Sequence, residues 1–332
     1  MHNQNNSLKK KAAMISMAVG IGMFAAKITA YLLTGSSAIF SDAAESVVHV
    51  LATGMALYSI ILSAKPADKS HLYGHGNIEY FSAGVEGLLI VIAAMVIIYS
   101  SVSDLISGFQ PKQLDIGVII VGLAGVINLW LGIYLINKGK QTNSLALVAD
   151  GKHVLTDSYT SIGVVIGLLL VLFTGLYIID PLIAIFVAIN ILYTGYKLVR
   201  ESIGGLMNET DEEMLAQIVD TLNSIRKKNW IDIHHLRFWK SSEKIFADFH
   251  LILPYYFTIQ QSHIEENYIE ETFTKVIGDT QVRIHMDYCN TNLCRFCDYT
   301  DCAVRLKEKS SEINWNQEKM IGEPIVVSGH IT

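Results

Sequence analysis

The sequence predicts an all-α membrane domain of six transmembrane helices followed by a soluble α+β domain. Three observations predict it. Of the 332 residues 51% are hydrophobic and only 17% are charged, whereas a soluble domain carries roughly a quarter charged residues. The apolar residues are concentrated before about residue 205, and charge is much denser afterwards. Two polar pairs, Glu45 with His49 and His153 with Asp157, interrupt otherwise apolar runs at a spacing of four, which sets each pair on one helical face about a turn apart. The net charge of −6 is modest and points to no nucleic-acid partner.

Residues 1–11 read as a short N-terminal segment, in which Lys9, Lys10 and Lys11 precede the first apolar run. The pattern imitates a signal peptide, but no convincing small-residue cleavage site follows and more spans do, so a retained first helix is expected. Within 12–205, six segments reach the ~20 residues needed to cross the hydrocarbon core: 12–34, 38–63, 80–106, 114–137, 144–174 and 178–202. The expected breaks are Thr34-Gly35-Ser36-Ser37, Lys65 to Asn77, Gln110-Pro111-Lys112, Lys138 to Asn143, and Gly175 to Pro181. Lys9 to Lys11, Lys65, Lys69, Lys138, Lys140, Lys197 and Arg200 all fall on one side of the membrane, against Lys112 alone on the other. The positive-inside rule then puts both termini in the cytoplasm, as in a multi-pass protein of a bacterial inner membrane.

The two pairs can meet at similar depth if the second and fifth spans pack side by side. Small residues permit that approach: Gly35, Ala38, Ala43, Ala44 and Ser46 in one span, Gly151, Ser158, Ser161, Gly163 and Gly167 in the other. An Asp at the centre of a spanning helix costs roughly 2.5–3.5 kcal/mol on insertion scales. Two imidazoles and two carboxylates complete a four-coordinate shell for a divalent cation. The bland alternative is that each polar residue is buried separately and hydrogen-bonded to a neighbour.

Residues 206–288 read as an α-β-β-α-β unit. Thr210 and Glu213 predict a capping box opening a helix that runs to about Arg226; Thr258 and Gln261 predict a second. Strands are expected near 231–240, 244–253 and 280–288, the first two joined at Lys240-Ser241-Ser242-Glu243. Alternation places Ile245, Ala247, Phe249, Leu251 and Leu253 on one face, with Asp248 and His250 on the other. His285 and Asp287 project together, and His234 alternates against Ile233 and His235. A lone strand histidine is usually solvated, whereas several with an aspartate favour metal.

The remaining 289–332 form a tail holding every cysteine: Cys289, Cys294, Cys297 and Cys302, spaced C-x4-C-x2-C-x4-C. In the cytoplasm disulfides are disfavoured. Four thiolates so spaced suit one structural Zn²⁺; an iron–sulfur cluster is the less favoured rival, and free thiols on a flexible tail the bland one. From Lys307 onward no core pattern is legible, and loose order is expected.

Together these features resemble the cation diffusion facilitator family of divalent-metal/proton antiporters over about residues 12–288. The resemblance rests on Gly35 through Ser46 (GSSAIFSDAAES), the two i,i+4 pairs, Pro66-Ala67-Asp68 through His71 to Gly74-His75-Gly76, the run Ala149 to His153 continuing to Asp157 and Ser161, and His285-Met286-Asp287. It implies a ferredoxin-like cytoplasmic domain, a homodimer joined largely through it, and a transport site at Glu45, His49, His153 and Asp157. It further implies a second site at Asp68, His71 and His75, and a cytoplasmic cluster of His234, His250, His263, His285 and Asp287. The first pair departs from the family's His or Asp followed by Asp, because Glu45 precedes His49 here. The N2O2 donor set suits Zn²⁺, with Fe²⁺, Co²⁺ or Mn²⁺ as alternatives. Proton-coupled export is the expected function. Its rivals are a membrane metalloenzyme, for which no H-E-x-x-H motif is present, and a metal sensor for which the spans are only an anchor.

Overall fold

The computed structural model describes residues 2–108, 110–142, 145–242 and 244–325. Asn143 in the fourth expected break, Glu243 in the hairpin turn and 326–332 of the tail lie outside them. The chain divides into two compact units, Met1–Pro66 with Ile78–Ile203, and Ala67–Asn77 with Gly204–Thr332.

In the first unit the helices are α1 (His2–Thr34), α2 (Ser37–Ser63), α3 (Ile78–Ser107), α4 (Leu114–Thr142), α5 (Leu145–Thr174) and α6 (Ile179–Leu206). Each contains a stretch long and apolar enough to cross a membrane, where only an internally hydrogen-bonded backbone is tolerated. Left-handed glycines follow three of them, Gly108 (φ 67°) after α3 being one. Gly35 (φ 65°) and Gly175 (φ 70°) take the left-handed conformation, and their N–H groups reach Tyr31 and Val171 carbonyls at 2.7 and 2.8 Å. The break expected from Lys138 is not where it was placed: α4 runs through Lys138 and Lys140 to Thr142. No proline falls in Asn137 to Gln141, the single Gly139 costs only about 1 kcal/mol in a helix, and lysines favour the negative end of its dipole.

Glycines also set the closest packing. A Cβ on Gly132 of α4 would lie 2.9 Å from the Gly151 carbonyl oxygen of α5, and one on Gly151 would lie 2.8 Å from the Ile136 nitrogen. Gly87 of α3 and Gly195 of α6 make the same reciprocal approach, each with a Cβ position 3.0 Å from the other's carbonyl oxygen. Such small-residue contacts supply van der Waals packing where no hydrophobic driving force exists.

Helix α2 is anchored at its start by a residue from α6. The Asp180 carboxylate, buried, accepts from the Ser37 N–H at 2.8 Å and the Ala38 N–H at 3.4 Å, and from the Ser36 hydroxyl. It thus satisfies donors that a helix N-terminus leaves open.

The second unit contains α7 (Glu212–Ser224), β1 (Asp232–Ser241), β2 (Lys244–Leu253), α8 (Ile259–Val276), β3 (Thr280–Tyr288), a 3-10 turn (Thr291–Phe296) and α9 (Gln317–Ile321). The sheet order is β1-β2-β3, antiparallel between β1 and β2 and parallel between β2 and β3. The parallel pair requires a crossover, and α8 supplies it. The arrangement is ferredoxin-like. Ile218 and Leu222 of α7, Ile269 and Phe273 of α8, and Ile233, Phe249 and Leu251 of the sheet share one core.

Three expectations are corrected. Thr258 and Gln261 do form a capping box, but α7 is opened by Asp211, which accepts from the Met214 N–H at 3.0 Å, and not by Thr210. Strand β1 carries a bulge between His234 and Arg237, with His235 at φ 53°, so its side chains do not simply alternate. The described part of the tail beyond Lys307, up to Ile325, packs on the domain: Ile313, Trp315 and Met320 are buried in its core. The Arg226 guanidinium lies 4.1 Å over the Trp315 ring, and the Asn223 side chain donates to the Trp315 carbonyl at 2.8 Å. These three residues follow an irregular strap, which leaves no period to read in the sequence.

Candidate metal centres

The i,i+4 spacing turns His49 on α2 and His153 and Asp157 on α5 towards one point. Their ligand atoms all lie within 4.8 Å of one another, and the two imidazole rings are 5.3 Å apart. Gly20 of α1 leaves room for His49, since a Cβ there would stand 3.3 Å from the His49 ring. Glu45 lines a cavity of about 30 Å³ with His153 and Asp157 and with Asn190 and Thr194 of α6, while His49 stands outside its lining. Its Oε2 lies 3.1 Å from the Thr160 hydroxyl. Three buried polar atoms here lack any hydrogen-bond partner: His49 Nδ1, His153 Nε2 and Asp157 Oδ1. Orphaned buried polar atoms are costly, and three at one point form a donor set suited to a cation.

One turn from the pairs lies a group that the sequence reading passed over. Lys27 of α1, Asp42 of α2 and Ser161 of α5 are all buried. The Lys27 ammonium donates to Asp42 at 3.0 Å and lies 3.3 Å from the Ser161 oxygen, while the Ser161 hydroxyl donates to Asp42. This group ties α1 and α5 to α2 beside the cavity and fixes the register in which the ligand pairs face each other. The signal was present, because an ionisable residue inside a span defaults to a role. Asn190 and Thr194, an i,i+4 polar pair on α6, were missed for want of charge.

In the second unit Asp68, His71 and His75 come together on the loop. His71 Nδ1 and His75 Nε2 each stand 3.4 Å from an Asp68 carboxylate oxygen. The Asp68 carboxylate also accepts the His71 and Ser70 N–H groups at 2.8 Å, and these hold its carboxyl below the usual aspartate value. Asp68 and His71 are exposed, as a solvated loop requires, but the His75 side chain is mostly buried and its Nδ1 has no hydrogen-bond partner.

The sheet gathers another group. Cross-strand register sets His234 opposite His250 and His250 opposite His285. Asp287 approaches His250 Nδ1 at 2.9 Å, His234 Nε2 at 3.3 Å and His285 Nε2 at 3.4 Å. His234, His250 and Asp287 have ligand atoms within 4.8 Å of one another and fit a divalent ion of the zinc type, while His285, exposed and on the other Asp287 oxygen, lies outside that close-set group. His263 does not join them: it is exposed on α8 and pairs with Glu266 at 3.2 Å. His235, displaced by the bulge, instead lies ring to ring with His234 and His250 at 5.0 and 5.1 Å.

The four cysteines line one small cavity with Ile231 and Pro254. Burial pushes the Cys289 and Cys297 thiols up. They are not among the three groups of close-set ligands found in the described residues.

Comparison with known proteins agrees with this architecture. A family model described as the cation efflux transmembrane domain matches residues 13–207, and one described as the cytoplasmic domain of cation efflux proteins matches 210–289. An uncharacterised transporter of Synechocystis sp. is 34% identical over 84% of this chain and 90% of its own length. A cadmium, cobalt and zinc/H(+)-K(+) antiporter of Bacillus subtilis is 27% identical over 89% of this chain and 96% of its own. The zinc transporter ZitB of Pectobacterium atrosepticum is 23% identical over 75% of this chain and 77% of its own.

Proposed function

Because this chain belongs to the cation efflux, or cation diffusion facilitator, family of membrane transporters, we propose that it exports a divalent transition-metal cation in exchange for protons. Zn²⁺ is the preferred cargo. The observation that carries the reading is the convergence of His49, His153 and Asp157 within 4.8 Å, with buried donor atoms that nothing else satisfies. Glu45 lies outside that close-set trio but lines the cavity beside His153 and Asp157, and it is the fourth ligand in this reading. The names of the relatives support the cargo class: the Bacillus subtilis protein is called an antiporter of cadmium, cobalt and zinc, and the Pectobacterium protein a zinc transporter.

Coupling follows from the donor chemistry. Metal binds neutral imidazole and ionised carboxylate, so protons and cation compete for the same atoms. His49 and His153 carry the protons, since imidazole titrates nearest neutrality, while Asp157 and Glu45 offset the charge of the dication. In the inward-open state metal displaces protons; in the outward-open state protons displace metal. We place the protein in a bacterial inner membrane with both termini cytoplasmic, as a homodimer joined through its sheet domain. Asp68, His71 and His75 and the cluster around Asp287 are proposed as further metal sites serving capture and regulation.

The test is flux into proteoliposomes with Zn²⁺, Fe²⁺, Co²⁺ and Mn²⁺ under an imposed pH gradient, beside Asp157→Ala. The parent should move Zn²⁺ with opposing proton movement. The variant should lose at least about 10–100-fold, the loss seen even for groups that only support metal ligands. Equal flux in parent and variant would remove the site assignment; flux indifferent to the gradient would remove the coupling.

A further inference from the structure

We propose that Cys289, Cys294, Cys297 and Cys302 hold a single divalent ion of the zinc class in a tetrathiolate site, and that this ion clasps the tail onto the sheet domain. The inference goes beyond the transport reading and does not depend on it.

The thiols come from separate pieces of backbone. Cys289 follows β3, its N–H bonded to the Leu253 carbonyl at 2.9 Å. Cys294 lies in the 3-10 turn, Cys297 caps it, and Cys302 arrives after a further turn. All four nevertheless line one cavity, and they are all the cysteines the chain has. That cavity is about 20 Å³. A single water-sized occupant needs roughly 10–15 Å³ by this measure, so there is room for one ion once the thiols, which are not among the close-set ligand groups of the described residues, draw in around it. Thiolate donors select a soft or borderline cation, which separates this site from the nitrogen and oxygen sites elsewhere.

Arg305 frames the loop. Its guanidinium donates to the carbonyl oxygens of Cys297 at 2.7 Å, Tyr299 at 3.2 Å and Cys294 at 3.4 Å. The backbone carrying the ligands is therefore fixed by a group that is not itself a ligand. The cation also stands where four thiolates around a dication leave surplus negative charge. On binding, each thiol gives its proton to solvent as a sulfur–metal bond forms; no electron transfer is involved.

The clasp follows from what comes next in the chain. The Ser310 and Ser311 N–H groups return to the Arg295 carbonyl, between two of the cysteines, at 2.9 and 3.0 Å. From there the chain runs directly to Ile313, Trp315 and Met320 in the domain core. The thiol loop is thus the corner at which the chain leaves β3 and turns back across the fold.

The experiment uses the full chain purified in detergent and loaded with Co²⁺ as a spectroscopic stand-in. The parent should show the near-ultraviolet sulfur-to-cobalt charge-transfer band and the strong visible bands of a tetrahedral tetrathiolate ion. Zn²⁺ should displace both, and Cys294→Ser with Cys297→Ser should abolish them. Cys302→His, which keeps a donor, should bind Co²⁺ with a weaker charge-transfer band, so that loss of signal cannot be ascribed to misfolding. Hydrogen exchange over 305–321 should slow on metal loading in the parent alone. Absence of the charge-transfer band, or acid-labile sulfide in the purified protein, would overturn the mononuclear site. Exchange unchanged by metal would overturn the clasp. Flux is not read, so failure here leaves the transport assignment standing.

Discussion

Replacing Lys27 by Met should destabilise the helical unit strongly, and replacing Asp42 as well should restore most of the loss. The two side chains are 1% and 0% exposed, with Nζ and Oδ1 3.0 Å apart. At that distance their attraction is about 5–6 kcal/mol for an effective dielectric of roughly 20. Desolvation of both charges offsets most of it. What the single substitution reveals is an uncompensated buried carboxylate, a penalty of about 3–5 kcal/mol. Ser161 still donates to Asp42 and recovers about 1 kcal/mol, leaving a net loss of about 2–4 kcal/mol. In Lys27→Met with Asp42→Asn no ion remains, and stability should return to within about 1 kcal/mol of the parent, as replaced buried pairs often do. Equilibrium unfolding in mixed micelles, as a double-mutant cycle, measures each corner. A single variant as stable as the parent, or a double variant no better than the single, would refute the reasoning.

Other outcomes follow from the same geometry. Asp180→Ala removes the carboxylate that caps α2 and should cost about 1–2 kcal/mol in the same unfolding measurement; no loss would detach α6 from the positioning of α2. Trp315→Ala should cost the full chain about 3–5 kcal/mol, the usual penalty for a buried aromatic, whereas a tail lying free would show none. The Lys240 ammonium, followed by the Met214 N–H, holds the Asp211 carboxyl below the ordinary aspartate value. A depressed folded-state value stabilises above the unfolded pKa near 3.9 and is lost as pH falls through the lower folded one. Asp211→Asn, which keeps a cap but loses the charged partner of Lys240, should therefore lower the neutral plateau of the sheet domain's stability and converge with the parent as pH falls below about 4.

Much of this was legible because two kinds of signal are strong. Spans of twenty apolar residues announce themselves by length, and all six expected segments coincide with helices in the structure. The i,i+4 pairs were legible because charge inside an apolar run is expensive. The same rule applied to Lys27, Asp42 and Asp180 would have found the network holding α2, but reading for metal ligands filtered out an ammonium. Local competition hid other details. Thr210 and Asp211 are adjacent and both able to cap, and only the structure shows that Asp211 does so. His234 and His235 read as a strict alternation until the bulge sets His235 at positive φ. The strap from Ile313 to Met320 was illegible because its buried residues fit neither a period of 2 nor one of 3.6. His263 entered the cytoplasmic cluster through family resemblance alone, and the register of the sheet does not reach α8.

The paired glycines have a mechanical consequence. Where α4 meets α5 at Gly132 and Gly151, and α3 meets α6 at Gly87 and Gly195, backbone lies against backbone with no side chain between. Slippage along either seam would drive neighbouring Cβ atoms into peptide groups, so each pair behaves as a stiff plank. The cavity holding His153 and Asp157 is bordered by α2 and α5 on one side and by α3 and α6 on the other. An ion entering it has to part the planks from one another, because neither will splay along its own length. A methyl group added at Gly87 or Gly151 would act on the jamb, at a distance from the ligands themselves.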